Sequence, residues 1–157
     1  MFSRKEMIGI NYIMARQETG LDDSFIYVEG NPGLDYYQFY NFHNGTKYGF
    51  RILLPESFPF DSPALLLDSP PKLQGYQNNP PLNQLGSSHN FHLNGTRNGC
   101  IDICYASSSW KSNSCVSLLI LKAILWCDAY SRYLKDGKCI DVHLAEIRRQ
   151  LEDKNNV

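Results

Sequence analysis

The stretch Tyr36-Tyr37-Gln38-Phe39-Tyr40-Asn41-Phe42-His43-Asn44-Gly45-Thr46-Lys47-Tyr48-Gly49-Phe50-Arg51-Ile52-Leu53-Leu54 decides the fold class. Residues 36–42 are rich in aromatic side chains, which favour strands. Asn44-Gly45 follows, the strongest short-range hairpin signal, because both turn residues must take positive φ. The return limb then alternates. Tyr48, Phe50, Ile52 and Leu54 point one way, and Lys47, Gly49 and Arg51 the other.

Working outward, residues 25–28 supply a short strand before this hairpin, and Asn31-Pro32-Gly33 turns the chain between them. Beyond the corner Phe58-Pro59-Phe60-Asp61-Ser62-Pro63, residues 64–67 form a fourth strand. Residues 3–17 read as a helix, with Met7, Ile10 and Met14 at helical spacing and Gly20 as its stop. Gly9 inside it costs about 1 kcal/mol relative to alanine. Residues 115–130 are apolar on nearly every side, as expected of a helix held between a sheet and other elements. Asp136-Gly137 ends that run, and residues 141–152 make an amphipathic helix through Val142, Leu144, Ile147 and Leu151. The pattern predicts an α+β fold in a single domain over residues 1–157.

Residues 69–91 break the rhythm with Pro70-Pro71, Pro80-Pro81 and several Asn and Gln. Proline lacks a backbone donor and discourages regular sheet. This proline-rich insertion is therefore expected outside the core, as a partner-recognition segment with Tyr76 and Phe91 as its contact points.

The net charge of −1, with 20% charged residues, leaves no basic field for nucleic acid or anionic membrane. Residues 1–17 lack the continuous apolar stretch of a secretory signal, and the most apolar segment, 116–127, is too short to span a bilayer. Five cysteines, an odd number, fit a reducing compartment. A soluble, cytoplasmic protein without membrane or nucleic-acid partners is the expectation.

One of those cysteines lies in Gly99-Cys100-Ile101-Asp102-Ile103-Cys104, with His92-Leu93-Asn94 upstream and Trp110 downstream. The glycine and the polar run 94–98 predict an exposed, irregular segment around Cys100. Cys115 and Cys127 fall in the apolar helix, while Cys104 sits in a less predictable place.

In their order, these pieces resemble the ubiquitin-conjugating enzyme family. There a hairpin sheet leads to Tyr-Pro-Phe-x-x-Pro, then His-Pro-Asn, then Gly-x-Ile-Cys-Leu-Asp-Ile-Leu, then Trp and a crossover helix. The likeness covers roughly residues 36–151 and is strongest for 58–63 taken with 100–103. It implies the family's fold: an N-terminal helix, a four-stranded antiparallel meander, an active-site cysteine loop, a crossover helix and one C-terminal helix. It also implies that Cys100 carries a ubiquitin-like protein as a thioester, with Asn94 stabilising the oxyanion and His92 bracing the loop.

The match has departures. Leu93 replaces the family's proline. The His92-to-Cys100 interval is shorter than usual by about two residues and the Cys100-to-Trp110 interval longer by about two. These departures are similar to the compact bacterial members found in antiphage operons such as CBASS. There the donor is the C-terminus of a ubiquitin-like protein or of a cGAS-like nucleotidyltransferase. An activating enzyme is a further implied partner, and no cofactor or metal is implied.

Two other readings compete. His89-x2-His92 with Cys100-x3-Cys104 offers four ligands at borderline zinc spacing. A catalytically inactive adaptor of the same architecture would bind partners through its sheet.

Overall fold

The computed structural model describes residues 1–21 and 23–155. Helix α1 (Arg4–Thr19) starts at Ser3, whose hydroxyl accepts from the Glu6 amide while the Glu6 carboxylate accepts from the Ser3 amide. This reciprocal cap satisfies two of the donors a helix start leaves over. Gly20 closes the helix at φ 69°, a left-handed conformation that costs glycine little.

Strands β1 (Ile26–Val28), β2 (Tyr36–His43), β3 (Thr46–Leu53) and β4 (Ala64–Ser69) form an antiparallel meander. At its centre His43 pairs with Thr46 across Asn44-Gly45, both at positive φ. Tyr48, Phe50, Ile52 and Leu54 are all buried, as the alternation predicts.

The sheet does not end at four strands. Strands β5 (Ser87–Ser88), β6 (Leu93–Arg97) and β7 (Cys100–Ile103) extend it to seven, in the order β1-β2-β3-β4-β7-β6-β5. The active-site loop expected from the sequence is thus a β-hairpin. Its turn, Asn98-Gly99, has φ values of 53° and 76° and joins the paired residues Arg97 and Cys100. This is the same Asn-Gly signal as at 44–45, and Thr96-Arg97 and Cys100-Ile101 flank it as strands. The polarity of 94–98 concealed it.

Helices α2 (Ser117–Asp136) and α3 (Ile140–Asn155) follow. Helix α2 lies on the sheet and carries both other helices. Its buried Leu119, Ile120, Ala123, Trp126 and Tyr130 join Phe39, Phe50, Leu65, Leu67, Ile101 and Ile103 in one core. On α3 only Ile147 of the four expected apolar positions is buried. Leu144 is partly covered, while Val142 and Leu151 are about half exposed.

Residues 69–91 are not an excluded loop. Leu73 and Leu82 are 1% exposed, and Leu82 N–H donates to the Leu73 carbonyl at 3.0 Å. Tyr76 N–H donates to Tyr133 Oη at 2.8 Å, and Tyr130 Oη–H to the Gln74 carbonyl at 2.9 Å. The Phe91 ring meets Tyr133 edge-on, at 5.1 Å between centroids. The prolines do keep most of the segment out of the sheet. The apolar residues between them nevertheless pack onto α2, because burying them outweighs the lack of a ladder.

Two devices hold one edge of the sheet, where β2 and β4 begin and β3 and β7 end. Arg4 clamps the fully buried Asp35 carboxylate through two contacts at 2.9 and 2.7 Å, and Tyr27 Oη–H donates to the same group at 2.7 Å. Along the same edge, Trp110 Nε1–H donates to the Pro59 carbonyl at 2.8 Å and Tyr105 Oη–H to the Pro63 carbonyl. The corner at 58–63 and the segment after β7 are therefore bolted together.

Candidate functional site

The alternation of β7 separates its side chains. Ile101 and Ile103 enter the core under the helices, so Cys100 and Asp102 point to the opposite face of the sheet. Cys100 is 6% exposed, and its thiol donates weakly to the Asn98 carbonyl at 3.7 Å. The expectation of an exposed, irregular segment at Cys100 is therefore corrected. The two-residue turn ends immediately before it, and the strand pairs on both sides.

Burial pushes the Cys100 thiol above its ordinary range; the Arg51 charge opposes this and the Asp68 charge adds to it. Arg51 is itself engaged, donating to Asp68 at 2.9 Å and lying over the Tyr36 ring at 4.7 Å. A thiol held neutral and covered is a poor nucleophile.

Asn94 is exposed and belongs to an irregular stretch of β6. There Leu93 pairs with Ile103 but Thr96 with Ile101, which leaves one extra residue on β6. Gly95, at φ 97°, allows this bulge. The Asn94 amide donates to Asp102 Oδ1 at 3.2 Å. Burial pushes the Asp102 carboxyl above its usual range, against the opposing effects of the Asn94 hydrogen bond and the Arg97 charge 3.4 Å away.

The helix side of β7 differs. Cys104, just past the strand, is partly exposed and donates its amide to the His92 carbonyl at 2.8 Å. His92 Nε2 donates to Asp141 Oδ1 at 2.7 Å, and His89 stacks on the His92 ring with centroids 5.5 Å apart. Trp126 Nε1–H donates to the Phe91 carbonyl at 3.1 Å, and the Asp141 amide to the Asn90 carbonyl at 2.9 Å. The segment 89–92 is thus tied to both α2 and α3. His92 braces this junction, with its own backbone in the left-handed region at φ 52°.

A cavity of about 260 Å³ opens beside this junction. Cys104, Tyr105, His89 and His92 line one side, and Lys122, Leu125, Trp126, Leu144, Ile147 and Arg148 line the helix side. Cys100 and Asn94 do not reach it. From the sequence Cys104 sits in a less predictable place and enters only the zinc alternative, while the carrier role falls on Cys100. No sequence signal would have found it: strand parity would put Cys104 on the Cys100 face, and only the strand's end at Ile103 releases it from that alternation.

Tyr76 and Phe91 are partly buried against the core. The zinc set is not assembled, since Cys100 lies across the sheet from Cys104 and His92 is committed to Asp141. Among the described residues no group of three or more His, Cys, Asp or Glu is placed to hold a metal ion. No helix among them is long and apolar enough to cross a membrane.

The chain matches no known protein family, curated protein or solved structure. What can be said of its class rests on the α+β fold, with helices on one face of a seven-stranded antiparallel sheet, and on the chemistry of its thiols.

Proposed function

We propose that this chain is a thiol acyl carrier of the ubiquitin-conjugating type. It would accept the C-terminus of a ubiquitin-like protein or cGAS-like nucleotidyltransferase and pass it to a target amine in bacterial antiphage defence. The meander, the corner bolted by Trp110 and Tyr105, and the helix crossing the sheet all support this reading. We assign the carrier role to Cys104 in preference to Cys100. The observation that carries this choice is accessibility. Cys104 is partly exposed beside a cavity and the His92–Asp141 pair, whereas Cys100 is covered on the far face.

In the transfer step the Cys104 thiolate attacks the carbonyl carbon of a donor thioester. The new C–S bond forms as the donor's breaks, and the departing thiolate takes up a proton. A lysine amine then displaces Cys104, giving an amide and returning the thiol. Incubation with a glycine-terminated peptide thioester, followed by peptide mapping, tests this. A thiol-labile adduct on Cys104 that is lost in Cys104→Ser and kept in Cys100→Ser is the expected result. An adduct confined to Cys100 would return the role to that residue.

The burial of Cys100 also favours a second reading. If neither cysteine accepts an acyl group, the same fold is an adaptor without chemistry of its own.

A further inference from the structure

The cavity beside Cys104 has a lopsided chemistry. Its walls include the apolar side chains of Leu125, Trp126, Leu144 and Ile147, and its lining also contains Lys122 and Arg148 but no Asp or Glu. Among the described residues Lys122 and Arg148 enter no ion pair, although most arginines of the chain do. Asp141, the carboxylate beside the His89 and His92 rings, is held by His92 at 2.7 Å and lies 3.9 Å from His89.

From this juxtaposition we infer a binding site for a small monocarboxylate with an apolar body, such as a medium-chain fatty acid. The volume sets the size. About 260 Å³ lies just under the roughly 300–1,000 Å³ of drug-sized sites, so the occupant is a single alkyl or aryl group rather than a large cofactor. The walls set the polarity. A peptide segment would bring backbone amides needing partners, and these side chains offer few, since Trp126 Nε1–H is already given to the Phe91 carbonyl. An alkyl chain needs none. The charge sets the head group: a carboxylate meets two unopposed cations in charge-assisted contacts. Because Cys104 lines the same space, a bound acid covers its thiol. The site stands whether or not Cys104 carries an acyl group.

Decanoate titrated into the full chain by calorimetry should bind saturably at roughly 10–100 µM, as expected for about a dozen heavy atoms. It should also slow iodoacetamide modification of Cys104, mapped by mass spectrometry, and leave Cys139 unaffected. Methyl decanoate, which lacks the charge, should bind at least about tenfold more weakly, and Arg148→Glu should weaken decanoate by a similar factor. Arg148 is exposed, so that variant keeps the fold. Lys122→Glu supplies an independent check. Equal affinity for acid and ester would overturn the inference. So would saturable binding without protection of Cys104, or capture of a peptide with an apolar free C-terminus where decanoate fails.

Discussion

Replacing Trp110 with phenylalanine tests the joint on which the fold argument rests. The indole is 8% exposed, its ring centroid lies 6.1 Å from that of Phe58, and its N–H satisfies the carbonyl of the buried Pro59. Phenylalanine keeps the stacking partner but removes roughly 45 Å² of apolar surface, about 1 kcal/mol. It also leaves the Pro59 carbonyl without a donor, which costs about 1–3 kcal/mol. The sum is about 2–4 kcal/mol, or a fall in Tm of roughly 4–16 °C for a chain of this size. Urea denaturation followed by fluorescence and circular dichroism measures it. Tyr105→Phe removes the second bolt, the hydroxyl on Pro63, and the double variant closes a cycle. Because both bonds hold the same corner, the two losses should be coupled by at least about 0.5 kcal/mol. Additive losses, or a Trp110→Phe cost below about 0.5 kcal/mol, would show that the corner does not depend on this joint.

Other outcomes follow from the same contacts. Under limiting iodoacetamide at neutral pH, Cys104 should be modified well before Cys100 and Cys127, the latter 0% exposed and pushed by burial up to about 12; peptide mapping that finds Cys100 first would reverse the order. Leu82→Ala should cost about 2–4 kcal/mol, measured by urea denaturation, whereas a partner-binding loop outside the core would lose almost nothing. Asp102→Asn should stabilise the fold near neutral pH. Its carboxyl is raised in the folded state, so ionisation weakens folding as pH climbs from about 4 through that raised value, and the gain should fade in acid. Asp35 has the opposite sign. Burial pushes its carboxyl up, but the hydrogen bonds from Arg4 and Tyr27 together with the Arg4 charge outweigh this and hold it low. The stability it lends is therefore present above about pH 4 and lost as pH falls further, and Asp35→Asn should flatten that acid limb in a pH series of melting curves.

The elements legible in the sequence were those with a strong local rule. The α1 stop, the 44–45 hairpin and the buried parity of β3 follow from residue chemistry within a few positions. The second hairpin follows the same rule at 98–99, but its strands carry Asn94, Thr96 and Arg97 where apolar alternation would be looked for. The hairpin is held instead by the pairing of β7 with β4 and by the Asn94–Asp102–Arg97 contacts, which sequence spacing does not display. The docking of 69–91 was hidden for a different reason. Leu73 and Leu82 are single apolar residues among prolines, and only the surface of α2 supplies their partners. The candidate site shares that problem. Cys104, His92 and Asp141 come from three separate segments, and their meeting depends on how α3 folds back on α2.

The sheet's margins have a consequence for how the molecule behaves in company. Its outermost strands, β1 at three residues and β5 at two, present very little unpaired backbone. Strand β2 is eight residues long, but β1 covers only Tyr36–Gln38 of it, so residues 39–43 keep an open backbone edge beside the short strand. A second copy that lengthened the sheet would therefore pair along that part of β2 rather than on β1 or β5. Any strand-to-strand assembly this protein enters should be registered on residues 39–43.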